Sequence, residues 1–183
     1  SIAEAAAAPP DARAIMLNLG SGPDLLPMPW VNVDAEGDRF KREGFAVVQQ
    51  DLLDRLPYRD NSVSVVNFSH GIEHYVVQEA VLVMRELHRI LKPGGVVRLA
   101  FPDQKMLCEK YLAGKMDEFA GIQPEDYKLV ATQSLKFSLI FFSAGASDRQ
   151  HYRGHKSGWD KEGALELSRL AGFAKASVVN FNE

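Results

Sequence analysis

The chain has 183 residues, a formal net charge of −3, 46% hydrophobic residues and 25% charged residues. This composition is typical of a single soluble globular domain, and the slightly acidic charge gives no general attraction to nucleic acid or to anionic membranes. The only cysteine, Cys108, excludes an internal disulfide and a thiolate zinc cluster, which fits a reducing cytoplasm. No apolar run approaches the about 20 residues that a membrane-spanning helix needs. We therefore predict a cytoplasmic protein that binds neither nucleic acid nor membrane, and we leave its oligomeric state open.

Short apolar runs separated by turn residues dominate the first half of the chain. A flexible tail is predicted over residues 1–12. Four strands are then predicted, at residues 14–19, 31–34, 45–50 and 63–68. Apolar residues at helical spacing predict a helix over 74–91, which Lys92-Pro-Gly-Gly95 ends before a fifth strand over 96–101. Near-continuous apolar strands with such connections are typical of an α/β fold with a doubly wound, mostly parallel sheet.

The second half of the chain has a different character, with mainly helical patterns. Three further helices and a final strand are predicted, at residues 103–112, 125–142, 159–170 and 176–181. A polar loop over 147–158 precedes the last helix. We interpret residues 103–158 as a helical cap or insertion after the fifth strand, and residues 13–183 as a single domain, since neither a repeat nor a linker interrupts them.

Glycines and polar residues follow the predicted strands at the positions where ligands usually bind. In an open parallel sheet the ligand lies beyond the carboxyl ends of the strands, where the strand order reverses. Glycines there allow a ligand to approach the backbone, and an acid after the second strand can accept hydrogen bonds from both ribose hydroxyls. The segments concerned are Gly20–Gly22, Asp34, Asp51-Leu52 and Ser69-His70. Their order on consecutive strands favours a nucleoside-containing ligand over a set of unrelated turns.

Four segments together resemble the class I S-adenosylmethionine (SAM)-dependent methyltransferases, and most closely the small predicted type 11 domains. They are Leu17–Pro23 (LNLGSGP), Val31–Asp34 (VNVD), Phe68–His74 (FSHGIEH) and Glu86–Gly95 (ELHRILKPGG). In those domains an LNLGCG…LPGWxNVD opening, an SHVLEH segment and an RVLKPGG turn occur in this order. The resemblance spans residues 14–103, and a weaker similarity is present at residues 155–160 and 171–173. It implies a Rossmann-like fold with SAM as cofactor.

The resemblance also implies a set of cofactor-binding residues. They are Asn18, Leu19, Gly20, Ser21, Gly22, Asp34, Asp51, Leu52, Ser69 and His70. Residues 18–22 would surround the methionine part of SAM, with backbone amides near its carboxylate. Asp34 would hold the ribose, and Asp51 with Leu52 would border the adenine. Ser69 and His70 would lie near the methionine amine or the reaction centre.

The connection between the first two strands is short. Only 14 positions separate Gly20 from Asp34, against about 20 in a regular dinucleotide-binding unit. Pro23, Pro27 and Pro29 lie between them, so we predict that the first crossover helix is vestigial or replaced by a loop. The shortening leaves open a non-catalytic SAM-binding or nucleotide-binding module. A nicotinamide-dependent oxidoreductase is less favoured, because the third glycine of Gly-x-Gly-x-x-Gly is absent.

The sequence contains no evident catalytic constellation. The candidate general bases for an acceptor hydroxyl are His70, His151, His155 and Asp103. The three histidines could also bind a metal, but no clear carboxylate completes the set, so no metal site is predicted. Glu73 has two open interpretations, a first-turn acid that the helix dipole favours or a residue of the site.

The loop around Lys156 carries local positive charge, which fits either a solvated surface or a clamp for an anionic or sugar-phosphate group. The favoured function is methyl transfer from SAM to an oxygen, nitrogen or carbon atom of a small-molecule or glycan-like acceptor.

Overall fold

A five-stranded parallel sheet forms the centre of the protein in a computed structural model, which describes residues 14–118, 132–142 and 154–179. The strands are β1 (Ile15–Leu19), β2 (Trp30–Asp34), β3 (Ala46–Gln49), β4 (Val63–Ser69) and β5 (Leu91–Ala100). Their spatial order is β3-β2-β1-β4-β5, and every neighbouring pair is parallel. The chain therefore moves outwards from β1 in one direction and returns to continue from β4 in the other. This reversal opens a crevice beyond the carboxyl ends of β1 and β4.

The described residues also form α-helices that flank the sheet. They are α1 (Gly37–Phe40), α2 (Val77–Ile90), α3 (Gln104–Leu112), α4 (Gln133–Phe142) and α5 (Lys161–Ala171). Two 3-10 turns, Ile72–His74 and Met116–Glu118, precede α2 and follow α3. None of the described helices is long and apolar enough to cross a membrane.

The core lies between the sheet and the pair of helices α2 and α5. The buried residues of α2 recur at helical spacing, at Ala80, Val83, Met84, Leu87 and Ile90, and they join strand residues in one apolar cluster. α5 begins where the Asp160 carboxylate accepts a hydrogen bond from Gly163 N–H (2.8 Å) and ends at Gly172, whose φ of 100° favours glycine. A second, smaller cluster forms between α3 and α4.

The doubly wound sheet and the shortened first crossover are confirmed. Residues 20–29 join β1 to β2 through turns and contain no helix. The predicted helix over 74–91 is observed as the 3-10 turn followed by α2. Of the helix predicted over 125–142, residues 133–142 are helical and residues 125–131 lie outside the described ranges. The division into a tail, one domain and a cap stays a prediction.

Two predicted boundaries are wrong. Residues 176–179 of the predicted last strand are not in a strand: they pair with none of the described strands, and Val178 and Val179 are exposed. Lys92–Gly95 lies within the bounds of β5 rather than before it. The register jumps there from Val63–Leu91 to Val65–Val96, so the segment is an irregularity in the strand pairing.

A charged network ties α2 to the loop before β4. The Arg89 guanidinium donates to both oxygens of Glu86 (2.7 and 2.6 Å), to Asp60, and to the carbonyls of Tyr58 (3.0 Å) and Leu56 (3.2 Å). Glu86 also accepts from Leu56 N–H (2.7 Å). The hydrogen bond from Arg89 lowers the pKa of Glu86, and Arg89 likewise lowers the pKa of Asp60.

We expect the free energy of unfolding to fall as the pH drops through the lowered pKa of Glu86. Above its unfolded pKa Glu86 is charged in both states and the contribution is complete, whereas below the folded pKa it is protonated in both and the contribution is lost. Glu86→Gln should cost about 1–2 kcal/mol at pH 7 and flatten the loss between neutral and acid pH. Urea denaturation across that range measures both effects. Glu166→Gln, in an exposed pair with Arg169, is the control, and an equal flattening there would contradict the assignment.

Candidate functional site

A cavity of about 820 Å³ lies where the strand order reverses. Its walls come from the segments that follow β1, β2, β3 and β4, together with Lys156 from the segment before α5. Nine of the ten predicted cofactor-binding residues lie along it: Asn18, Gly20, Ser21, Gly22, Asp34, Asp51, Leu52, Ser69 and His70. Leu19 is the exception, because its side chain is buried in the apolar core. The fold thus brings the predicted set together around one volume.

The floor of the cavity is backbone. Gly20 and Gly22 have φ values of 58° and 48°, in the left-handed region that favours glycine. A side chain at Gly71, after β4, would overlap the Phe68 ring. A side chain at Gly20 would lie 3.4 Å from the same ring, so the β1 and β4 segments approach each other closely. Sequence reasoning singled out Gly20 and Gly22 as site residues. It did not single out Gly71, because the clash there depends on the direction of the Phe68 side chain.

Asp34 is the best-organised acid of the site. It is 8% exposed at the end of β2. Its Oδ2 accepts a hydrogen bond from Gly22 N–H (2.9 Å) and its Oδ1 accepts one from Glu36 N–H (2.8 Å). A carboxylate has about four acceptor positions, so each oxygen keeps capacity for a ligand hydroxyl. Asp34 therefore holds the glycine turn in place and can bind a diol at the same time.

The backbone amides of the glycine turn were predicted to lie near the carboxylate of SAM, but two of them bind the protein itself. Gly22 N–H donates to the Asp34 carboxylate, and Ser21 N–H donates to the Val33 carbonyl (3.3 Å), so neither amide is available to an anionic ligand. The Ser21 hydroxyl, in contrast, is buried and has no hydrogen-bond partner among the described residues. The cationic side chains on the cavity wall are those of Arg39 and Lys156.

A row of amide side chains crosses the sheet beneath the cavity, and sequence reasoning missed it. Asn18, on β1, is opposite Asn32 on β2 and Asn67 on β4, and Asn67 is opposite Arg98 on β5. Asn18 Nδ2 donates to Asn32 Oδ1 (2.9 Å), and Asn18 Oδ1 accepts from Asn67 Nδ2 (2.8 Å). Asn32 also binds the Leu26 backbone through both its donor and its acceptor (2.9 and 2.8 Å). The available signal was an asparagine inside each of three apolar strands.

The cavity has more acidic than basic groups. Asp24, Asp34, Glu36 and Asp51 line it, against Arg39 and Lys156. Asp51 Oδ1 accepts from Leu53 N–H (2.9 Å), and Leu52 packs into the core beside it. A cationic ligand that also carries hydroxyls suits this surface, whereas a pyrophosphate would be repelled by it.

The candidate bases separate in space. His70, with φ of 50°, lines the cavity, and its Nδ1 lies 3.5 Å from Glu73 Oε1; this carboxylate raises the pKa of His70. His155 lies on the other side of Glu73, at 3.9 Å from Nε2 to Oε1, and burial lowers its pKa. The Asp103 carboxylate caps α3 by accepting from Met106 N–H (3.0 Å). His151 lies outside the described residues.

Glu73 is a buried acid with two histidines close to its carboxylate. It lies in the 3-10 turn before α2, is 2% exposed, and neither carboxylate oxygen has a hydrogen-bond partner among the described residues. The first-turn acid of α2 is instead Glu79, which accepts from Val76 N–H (3.1 Å). Glu73 is the first-turn acid of the 3-10 turn, yet its carboxylate accepts no backbone amide among the described residues, so both interpretations stay predictions.

Comparisons with known proteins agree with this geometry. A family model described as a methyltransferase domain, type 11, matches residues 30–99. The demethylmenaquinone methyltransferase of Staphylococcus epidermidis is 29% identical over an alignment 123 positions long, which covers 58% of this chain and 49% of that protein. The chain thus spans about half the length of the curated relatives it matches.

Two crystal structures show the same fold at low sequence identity. A protein from Pyrococcus horikoshii has a TM-score of 0.55 and 23% identity, with 86% of this chain and 72% of that chain covered. A SAM-dependent methyltransferase from Thermotoga maritima has a TM-score of 0.54 and 17% identity, with 87% and 63% covered.

Proposed function

We propose that this chain, whose residues 30–99 match a methyltransferase domain of type 11, is a class I SAM-dependent methyltransferase that transfers the methyl group of SAM to a small-molecule acceptor. The observation that carries the proposal is the position of Asp34. Its carboxylate, oriented by two backbone amides, faces an acid-lined cavity at the reversal point of the sheet. A sulfonium nucleoside is a cation with a ribose diol, and both features match this surface.

Each part of SAM is proposed to contact a different group of residues around the cavity. Asp34 is proposed to hold the ribose, and Asp51 with Leu52 to border the adenine. Ser69 and His70 are proposed to lie near the methionine amine, while the unpartnered Ser21 hydroxyl and the Lys156 ammonium are available to its carboxylate. Bound SAM supplies a methyl group on a positively charged sulfur that needs no further activation.

The protein's own contribution is alignment and exclusion of water. His70 is proposed as the base that takes the proton of an acceptor hydroxyl, because among the candidate bases in the described residues it alone lines the cavity. The Asp103 carboxylate caps α3, and His155 does not line the cavity, so neither residue is favoured for this role.

Two classes of acceptor are proposed. The curated relatives carry the name demethylmenaquinone methyltransferase, so a quinol-type ring is the first small molecule to test. A glycan-like acceptor is the second, since the Lys156 segment could contact an anionic sugar. Neither choice alters the cofactor site.

We expect S-adenosylhomocysteine (SAH), the demethylated product, to bind with a stoichiometry of one per chain. Isothermal titration calorimetry measures this directly, and absence of heat at millimolar SAH would refute the proposal. Incubation with labelled SAM and an acceptor panel then distinguishes an enzyme from a module that binds SAM without turnover. NADH fluorescence should not change on adding the protein, since the acidic cavity disfavours a pyrophosphate.

A further inference from the structure

A buried carboxylate in the 3-10 turn before α2 has one close group on the cavity side, the exposed imidazole of His70, whose Nδ1 lies 3.5 Å from Glu73 Oε1. Glu73 is 2% exposed, and neither of its oxygens has a hydrogen-bond partner among the described residues. Ionised carboxylates are rarely buried unless hydrogen bonds, an opposite charge or a metal ion compensates them. Since an exposed imidazole at 3.5 Å compensates this burial only in part, we expect a further cationic partner for the Glu73 carboxylate.

Two imidazoles face the same carboxylate. One ligand atom from each of Glu73, His74 and His155 lies within 4.8 Å of the other two. His155 Nε2 is 3.9 Å from Glu73 Oε1, and the two histidine rings meet edge to face with centroids 5.1 Å apart. His74 Nδ1 is also buried without a hydrogen-bond partner among the described residues. Glu73 and His74 therefore carry buried polar atoms without hydrogen-bond partners among the described residues, and His155 lies against both.

The backbone fixes these groups relative to one another. The Glu73 carbonyl accepts hydrogen bonds from Lys156 N–H (2.8 Å) and Ser157 N–H (3.2 Å). These bonds join the turn after β4 to the segment that carries His155, although more than 80 positions separate the two in the chain. A site held by backbone hydrogen bonds between two elements is preorganised rather than a chance meeting of mobile side chains.

We propose that Glu73, His74 and His155 bind one divalent transition-metal ion of the zinc type. Two imidazoles and one carboxylate are a ligand set that zinc uses where a fourth position is left to water or substrate. Ligand atoms around such an ion lie about 3.3 Å apart, given bond lengths of about 2.0–2.1 Å, so the ion draws the three side chains inwards. The proposal does not rest on the proposed methyl transfer, although Glu73 also contacts His70, the base proposed for that reaction.

The surroundings provide a place for the fourth ligand. A small cavity of about 10 Å³ is lined by Glu73, His155 and Ser157, and the Ser157 hydroxyl is buried without a partner among the described residues. A volume of about 10–15 Å³ holds one water molecule. On the opposite side His74 lines the large cavity, so the ion would lie between the two cavities.

Titration of the chelator-treated protein with Co²⁺ tests the site without SAM. We expect visible absorption bands typical of four- or five-coordinate Co²⁺ that saturate at one equivalent, and Zn²⁺ should abolish them. Absence of such bands together with absence of saturable Zn²⁺ binding at millimolar concentration would overturn the proposal, leaving an ion-paired Glu–His cluster only. Because SAH binding is measured on the metal-free protein, a failure here is distinguishable from failure of the proposed function.

Variants locate the ion. Glu73→Gln and His155→Gln should each weaken Zn²⁺ binding by at least about tenfold, the lower end of what even outer-shell changes cause in zinc sites. His88→Gln changes an exposed histidine on α2, outside the cluster, and should leave the affinity unaltered. Unaltered affinity in both ligand variants would place the ion elsewhere and overturn the assignment. Should either variant fail to fold, the Co²⁺ spectrum of the unmodified protein decides the matter.

Discussion

Replacing Asp34 by alanine is expected to weaken SAH binding at least about tenfold, the largest effect of any single side chain in the cavity. A hydrogen bond to a charged group contributes about 1.5–3 kcal/mol, and tenfold in affinity corresponds to about 1.4 kcal/mol. The carboxylate is in a position to make two such bonds to a ribose. It also holds Gly22 N–H and Glu36 N–H, so its removal loosens the turn that forms the cavity floor.

Two comparisons separate these contributions. Asp34→Asn retains one oxygen acceptor with the same shape, and we expect it to bind SAH more tightly than Asp34→Ala but less tightly than the unmodified protein. Asp38→Ala removes an exposed acid of α1 that does not line the cavity, and should leave the affinity within experimental error. Calorimetry at one salt concentration measures all four proteins. Equal affinity of Asp34→Ala and the unmodified protein would refute the ribose role.

The sheet and the cofactor cavity were predictable because local signals determine them. Short apolar runs separated by turn residues are sufficient to define parallel strands, and the carboxyl ends of such strands meet at one edge. Gly20, Asp34 and Ser69 could therefore be placed together from their positions after three strands. The loss of the first crossover helix also followed from local facts, the short interval and its three prolines.

Most of the features that escaped prediction depend on distant partners. Glu73 is adjacent to a helix start, and only the packing of the segment around His155 reveals that it is buried. The overlap that requires glycine at Gly71 arises from the Phe68 ring, whose direction no sequence pattern specifies. Val178 and Val179 fit a strand pattern, yet a strand also needs a partner strand, and these residues pair with none of the described strands.

Replacing Asn32 by alanine is expected to lower the free energy of unfolding by about 3 kcal/mol, the largest loss of stability from any one polar side chain considered. Asn32 is fully buried on β2, and all four of its hydrogen-bonding positions are used. It donates to the carbonyls of Leu26 (2.9 Å) and Ala46 (3.0 Å), and accepts from Leu26 N–H (2.8 Å) and Asn18 Nδ2 (2.9 Å). Leaving a buried polar group without its partner costs about 1–3 kcal/mol, and several groups are orphaned at once.

The same contacts explain how a loop can replace the first crossover helix. A helix would satisfy its own backbone groups, whereas the loop between β1 and β2 relies on the Asn32 amide to satisfy those of Leu26. Because Leu26 lines the cavity, Asn32→Ala should also weaken SAH binding, although Asn32 itself does not line it. Urea denaturation and calorimetry measure the two losses, with Gln49→Ala, an exposed amide at the end of β3, as the matched control. A loss of stability below about 1 kcal/mol would mean that water replaces these hydrogen bonds and that the loop is held by its prolines instead.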